Sequence, residues 1–215
     1  AFAKHLSEAG ITVDGEPTRA AASGSAREMA SVSSAPLSDI LALSLKTSDN
    51  TMTEVEGRLV AAHAKETTDF AGASKAVLAQ LGKDGFDTSG VTLLDSSGLA
   101  KGNKVPARLL AQILAKAAGG EGSSAGRTLI ADLPVAALDG TLDHRLHDTA
   151  AAGTVRAKTG SLEQTSSLAG VVTTADGRQL AFAVMANGFP ANGGGAAATA
   201  IDNHFVAPLA SCGCS

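Results

Sequence analysis

One segment, Val155–Leu162 with the sequence VRAKTGSL, constrains the fold of this chain most strongly. Positions 155, 157 and 159 alternate with positions 156, 158 and 160, so the two sets point to opposite faces of a strand. Gly160 has no side chain, so the backbone of a ligand can approach the strand closely. Lys158 beside Thr-Gly-Ser predicts an edge-like strand that receives an extended, anionic ligand, with the ammonium group as counter-charge.

Hydrophobic periodicity and turn residues predict the other elements. Strands at 167–174 and 179–187 are joined by Ala175-Asp176-Gly177, which is a strong hairpin signal. Further strands are predicted at 11–13, 27–33 and 91–94, and helices at 1–9, 36–46, 51–65, 69–81, 106–119, 124–132 and 196–210. This order predicts an α+β fold in which an antiparallel sheet is packed between helices, with a helix-rich middle region.

The composition argues against several classes of protein. Hydrophobic residues make up 44% of the 215 residues, which supports a sizeable core, but aromatic residues make up only 3%. The chain has no Trp or Tyr and a net charge of −4, so it lacks the stacking platforms and positive charge of a nucleic-acid-binding protein. Its apolar runs are too short to span a membrane. Neither nucleic acid nor a membrane span is therefore predicted for this chain.

No metal site or cofactor is predicted. His144 and His147 lie three residues apart, but no third ligand is evident, so an exposed polar turn is the favoured interpretation. Cys212 and Cys214 could be free thiols or pair with a segment outside this chain, because a disulfide across one residue is expected to be strained. They could also be a pair of metal ligands, although two ligands do not make a site.

Two short motifs carry the functional prediction: Ser48-Asp49-Asn50 and Lys158-Thr159-Gly160-Ser161. Each has a plain structural interpretation, since Asn50 could cap a helix that starts at Thr51 and Lys158 could lie on a surface strand. By average composition, however, S-D-N occurs by chance in a chain of this length roughly 3% of the time, and K-T-G-[ST] under roughly 1%. Finding both points to function, because they are two of the three signatures of penicillin-binding proteins and β-lactamases.

Four stretches extend this resemblance, at 43–52, 94–99, 133–142 and 155–162. They contain LSLKTSDNTM, LDSSGL, LPVA followed by DGTL, and VRAKTGSL. With them, the chain resembles the C-terminal half of a D-alanyl-D-alanine carboxypeptidase/endopeptidase of the low-molecular-mass, class C penicillin-binding proteins. The resemblance implies a serine β-lactamase/transpeptidase-like fold that is incomplete in this chain. It also implies that residues 1–215 are the C-terminal part of one penicillin-binding domain.

The third signature, S-x-x-K, is not found in these residues. None of the nine lysines has a serine three positions earlier. In the family, the serine nucleophile and its lysine base lie upstream of the stretches matched here. We therefore expect this chain to be a C-terminal fragment or one chain of a nicked enzyme, completed by the N-terminal part of the same protein.

The resemblance assigns roles to six residues of the two motifs. Ser48 relays a proton to the departing amine, and Asn50 holds the base and the substrate amide. Lys158 attracts the terminal carboxylate of the substrate and keeps neighbouring amines neutral. The assigned catalytic residues are Ser48, Asn50 and Lys158, and the assigned substrate-binding residues are Thr159, Gly160 and Ser161. Asp49 is expected to brace the turn rather than to react.

The expected function is that of a serine-type D-Ala-D-Ala carboxypeptidase/endopeptidase that cleaves peptidoglycan stem peptides outside the cytoplasm and is acylated by β-lactams. The chain alone is predicted to be inactive. One alternative is a relative of class A β-lactamases, but neither Glu66 nor Glu121 has the Asn four residues later that such an enzyme needs. The other alternative is a non-catalytic peptidoglycan-binding module that has lost the serine.

Overall fold

The computed structural model describes residues 2–16, 18–119 and 123–212. The chain forms two units, Ala1–Ser34 and Ala35–Ser215. In the first unit, helix α1 (Phe2–Glu8) is followed by Gly10, whose φ of +79° suits the end of a helix. The strands predicted at 11–13 and 27–33 are wrong, because the described residues of this unit form no strand. Alternation of side chains does not create a strand where no neighbouring strand receives its hydrogen bonds.

The second unit contains the predicted helices and sheet. Its first part is helical, and the strands that follow form an antiparallel sheet in which each strand pairs with the next one along the chain. The bounds are α2 (Leu37–Thr47), α3 (Asn50–His63), α4 (Phe70–Lys83), α5 (Ala107–Ala118), α6 (Ser124–Asp132), β1 (Val155–Leu162), β2 (Thr165–Thr173) and β3 (Gln179–Asn187).

Two predicted elements differ from the structure. The strand predicted at 91–94 is only a single bridge between Thr92 and Lys104. The closing helix predicted at 196–210 is divided into α7 (Gly194–Ile201), a wider π-helical turn (Asp202–Val206) and α8 (Ala207–Ser211). Within the described ranges, no helix has both the length and the apolar character needed to cross a membrane.

Helices cover both faces of the sheet, which confirms the α+β prediction. On one face, Val155, Leu168 and Phe182 pack with residues of α7, the π-helical turn and α8. On the other face, Val171 packs with residues of α5 and α6. Val155 and Ala157 are fully buried, as the alternation in β1 predicted. Each Val, Leu or Phe side chain buried in this way contributes about 1.5–3 kcal/mol.

The outer edge of β1 is paired over only part of its length. The Ala136 N–H donates to the Val155 carbonyl at 3.0 Å, and the Ala157 N–H donates to the Pro134 carbonyl at 2.9 Å. In the described residues, no strand pairs with this edge beyond Ala157. Because strand hydrogen bonds alternate sides, the N–H groups of Thr159 and Ser161 also face outward. The motif Lys158–Ser161 therefore lies on an open edge.

Candidate active site

The Ser48 turn joins helices α2 and α3. Ser48 ends α2 in the left-handed conformation, with φ 54° and ψ 46°, which is uncommon for a residue other than glycine. Asp49 caps α3 by accepting a hydrogen bond from the Met52 N–H at 2.8 Å. Asn50 is the first residue of α3 and is exposed. The prediction that Asp49 braces the turn is confirmed, and the alternative that Asn50 caps the helix is wrong.

Lys158 brings β1 into contact with the Ser48 turn. Its Nζ donates to Ser48 Oγ at 2.6 Å and to the Thr159 carbonyl at 3.0 Å. Burial lowers the pKa of Lys158 from its ordinary value. No carboxylate of the described residues lies within ion-pair distance of it. The ammonium therefore has neutral oxygen partners and retains one of its three N–H groups for a ligand.

The three residues after Lys158 form the rest of this wall. Thr159 Oγ1 donates to Thr141 Oγ1 at 2.9 Å. Gly160 faces Ser167 of β2, and a methyl group at position 160 would collide with the Ser167 hydroxyl. The side chain of Ser161 is exposed, and its N–H faces the open edge. Along the strand edge, this wall thus carries an ammonium, two hydroxyls and an outward-facing backbone N–H.

A second lysine fixes the end of α2 to the segment before β1. Lys46 Nζ donates to the two Asp139 carboxylate oxygens at 2.8 and 2.7 Å and to the Leu133 carbonyl at 2.7 Å. The Val135 N–H donates to the same carboxylate at 2.8 Å. Partial burial would raise the pKa of Asp139, but the hydrogen bonds from Lys46 and Val135 and the Lys46 charge outweigh it and lower the pKa. This Lys46–Asp139 clamp holds the Ser48 turn against the segment that pairs with β1.

Gly140 allows the close approach in this clamp. Its φ is +58°, in the left-handed region that glycine adopts readily. A methyl group there would lie 2.8 Å from the Lys46 carbonyl oxygen and 3.2 Å from Pro134. Only glycine therefore fits here without displacing the backbone of α2.

Two carboxylates fix the loop at 94–103, Asp95 by bonds within the loop and Glu54 by bonds from α3. Buried Asp95 accepts hydrogen bonds from Gly98 N–H at 2.9 Å, Ala100 N–H at 2.7 Å and the Asn103 side chain at 2.6 Å. Glu54 of α3 accepts from the N–H groups of two further loop residues at 3.0 and 2.8 Å. These bonds fix one side of an open cleft.

The cleft has a volume of about 760 Å³ and lies beyond the Lys158 wall. Its other side is formed by the far ends of the strands, where Leu162, Ser167 and Met185 line it. Ser167 is the residue that Gly160 contacts across the sheet, so the cleft begins beside the KTGS motif.

The structure brings together some of the predicted site residues and adds others. Ser48, Lys158 and Thr159 are linked by hydrogen bonds, whereas Asn50, Gly160 and Ser161 are placed by their positions at the start of α3 and along β1. Sequence reasoning missed Lys46, Asp139 and Thr141. The DGTL stretch contains the last two and was the available signal, although no role was assigned to it.

The other candidate ligands lie away from this site or outside the described residues. His144 and His147 are exposed, and His147 Nε2 lies 2.7 Å from the Asp143 carbonyl oxygen. Cys212 is disulfide-bonded, which excludes a free thiol at this position, and Cys214 lies outside the described residues.

Comparison with known proteins agrees with the resemblance. The model of the D-Ala-D-Ala carboxypeptidase 3 (S13) family matches residues 1–209. Carboxypeptidase DacB of Mycolicibacterium smegmatis is 46% identical over 190 residues, which cover 86% of this chain and 40% of that protein. Carboxypeptidase Rv3627c of Mycobacterium tuberculosis is 43% identical over 180 residues, which cover 82% of this chain and 39% of that protein.

A solved structure is similar over most of the chain. It is penicillin binding protein 4 (dacB) from Haemophilus influenzae in complex with a β-lactam, with a TM-score of 0.78 and 31% identity. The match covers 87% of this chain and 43% of that one. The chain thus spans about two fifths of the length of the curated relatives it matches. The family prediction made from the motifs is confirmed: the chain belongs to the D-Ala-D-Ala carboxypeptidase 3 (S13) family.

Proposed function

We propose that this chain forms two walls of the acyl-transfer cleft of a serine-type D-Ala-D-Ala carboxypeptidase or endopeptidase. The substrate would be a peptidoglycan stem peptide outside the cytoplasm, and β-lactams would acylate the enzyme. The observation that carries the proposal is the 2.6 Å hydrogen bond from Lys158 Nζ to Ser48 Oγ, because it joins two motifs 110 residues apart in one cluster. Family membership supports the choice of substrate class.

The nucleophile and base come from an S-x-x-K segment that these 215 residues do not contain. We propose that the N-terminal part of the same enzyme supplies it, in one polypeptide or as a separate chain. The serine hydroxyl attacks the carbonyl carbon of the penultimate D-alanine, and the lysine takes its proton. The carbon–nitrogen bond then breaks, the D-alanine amine leaves with a proton, and water hydrolyses the resulting ester.

Ser48 would move the proton to the leaving group. Its hydroxyl accepts a hydrogen bond from Lys158 in this structure, which leaves its own proton available for another acceptor. Because the Lys158 ammonium is close, a positively charged amine next to Ser48 is disfavoured, so neighbouring amines stay neutral and can accept protons. Asn50 starts the next helix and would hold the base and the substrate amide.

The open edge of β1 would bind the substrate and the developing oxyanion. The outward N–H of Ser161 would be one oxyanion donor, and the N–H of the nucleophilic serine would be the other. Lys158 would provide the charge for the terminal carboxylate, and the hydroxyls of Thr159 and Ser161 would donate hydrogen bonds to it. Gly160 leaves room for the substrate backbone to run beside the strand.

The test is labelling by a fluorescent penicillin followed by denaturing electrophoresis. The enzyme that contains both this chain and the S-x-x-K segment should form a covalent adduct, and the adduct should be on the S-x-x-K segment. Its serine-to-alanine variant is the matched control and should remain unlabelled, because removing such a nucleophile costs on the order of a millionfold in rate.

Two outcomes would contradict the proposal. A labelled band at the mass of this chain alone would show that the nucleophile lies within it. A folded enzyme containing both segments that never reacts with penicillin, yet binds peptidoglycan fragments, would instead favour the non-catalytic binding module. The alternative of a class A β-lactamase relative predicts rapid hydrolysis of penicillin rather than a stable adduct. Glu66 does not favour that alternative, since it is engaged by Lys75 at 2.8 Å.

A further inference from the structure

Thr141 is in direct contact with a hydroxyl of the proposed binding wall. It lies in the 3₁₀ turn Gly140–Leu142, and its Oγ1 accepts a hydrogen bond from Thr159 Oγ1 at 2.9 Å. Both side chains are partly buried. In the absence of a ligand, the Thr159 proton is therefore directed at Thr141 and away from the open edge of β1.

The backbone on both sides of Thr141 is held in place. Before it, the Lys46–Asp139 clamp and the tight contact of Gly140 with the Lys46 carbonyl fix the chain. After it, Leu142 is fully buried in the core that also contains Val155 of β1. The separation of the two threonine hydroxyls is thus set by the fold rather than by a mobile loop.

A carboxylate at the open edge changes which hydroxyl donates. A hydroxyl has one proton and two lone pairs, so Thr159 cannot donate to Thr141 and to a carboxylate at the same time. When Thr159 turns its proton to the carboxylate, Thr141 can turn its own proton to Thr159 Oγ1. The resulting chain runs from Thr141 to Thr159 to the carboxylate, and each bond in such a chain strengthens the next.

We infer that Thr141 is a positioning residue, which orients the Thr159 hydroxyl toward the terminal carboxylate of the substrate. This inference rests on the proposed function. It assigns to the DGTL stretch a part in substrate recognition, exerted through Thr159 and not by contact with the reacting atoms. The carboxylate is bound in the substrate complex and in the transition state alike, so losing the contact should act mainly on KM.

The test compares Thr141→Val with Thr141→Ser in the complete enzyme. Valine keeps the shape of threonine without the hydroxyl, and serine keeps the hydroxyl. With a D-Ala-D-Ala peptide, Thr141→Val should raise KM about three- to tenfold, the effect of one lost hydrogen bond, with kcat within about twofold. Thr141→Ser should restore the wild-type KM.

A second ligand separates recognition of the carboxylate from a general structural effect. A peptidyl boronic acid that ends at boron reacts with the nucleophile but has no terminal carboxylate. Its inhibition constant should be the same for the wild type and Thr141→Val. An equal rise in KM for the peptide and in the inhibition constant for the boronate would overturn the inference, and so would an unchanged KM for the peptide. A wild-type enzyme that penicillin does not acylate would refute the proposed function instead, before the variants are compared.

Discussion

Two lysines lie on either side of the Ser48 turn, and their surroundings are opposite. Lys46 donates to both oxygens of the Asp139 carboxylate and to a backbone carbonyl, so its charge is compensated by the protein. Lys158 is partly buried, which lowers its pKa, and its partners are the neutral oxygens of Ser48 and Thr159. Placing a charge out of water without a counter-ion is unfavourable.

The difference separates the part of the site that holds the fold from the part that awaits a ligand. The compensated lysine contributes to stability by joining α2 to the segment before β1. The uncompensated lysine reduces stability, and its missing counter-charge is what a substrate carboxylate would provide. Functional groups are commonly kept in such unfavourable surroundings, because the ligand relieves them. The comparison therefore predicts that the two lysines respond oppositely to the same substitution.

The largest expected effect is the loss of activity in Lys158→Met. In the complete enzyme, this substitution should slow acylation by penicillin about a hundred- to a thousandfold, the usual effect of removing a charge-stabilising donor. The free energy of unfolding should be equal to or above that of the wild type, because the desolvated charge is gone. Stopped-flow acylation and urea unfolding measure the two quantities. A variant that is both unstable and active would reverse the interpretation of Lys158.

The next effect is on stability, in Lys46→Met. Removing this cation leaves Asp139 without its partner, and we expect the free energy of unfolding to fall by about 1–2 kcal/mol. This value lies between those for exposed and buried ion pairs, because both side chains are partly in solvent. Acylation should slow by less than about tenfold, as the position of Ser48 becomes less fixed.

Lys75→Met is the matched control for Lys46→Met. Lys75 also bonds a carboxylate, that of Glu66 at 2.8 Å, but it is 69% exposed. Its loss should change the free energy of unfolding by less than about 1 kcal/mol. Equal losses in the two variants would show that the clamp at Lys46 is no more than a surface ion pair.

The smallest effect is the pH dependence of the clamp. The pKa of Asp139 is lower in the folded protein than the ordinary Asp value of about 3.9 in the unfolded chain. Its contribution to folding stability is therefore fully present above that ordinary value and is lost as the pH falls through the pKa of the folded state. The difference in unfolding free energy between the wild type and Asp139→Asn should therefore shrink as pH decreases below about 4. Urea titrations at several pH values measure it, and a difference that grows toward acid would have the wrong sign.

The sequence predicted the elements whose signals are local. The bounds of β1 and β3, 155–162 and 179–187, agree with the structure. Both were predicted from signals close by in the sequence: the alternation of side chains in β1, and the hairpin turn immediately before β3. Helices α2 to α6 were predicted for a similar reason. The strands at 27–33 and 91–94 were wrong because a strand also needs a distant partner, which alternation in one segment does not show.

The residues of the site fall into the same two groups, those that a local motif identifies and those that depend on a contact with a distant segment. Ser48, Asn50 and the KTGS residues could be named because short motifs identify them. Lys46 and Asp139 are 93 residues apart, and nothing in one sequence indicates that they meet. The contact of Thr141 with Thr159 likewise depends on how the turn packs against β1.

The most direct measurement is the protonation of Lys158 with and without a bound carboxylate. In the complete enzyme with its nucleophile replaced by alanine, isotope-labelled lysines can be titrated by NMR in the absence and presence of a D-Ala-D-Ala peptide. The account predicts that the pKa of Lys158, lowered by burial in the free enzyme, rises when the peptide binds. A pKa of Lys158 that saturating peptide leaves unchanged would contradict the account.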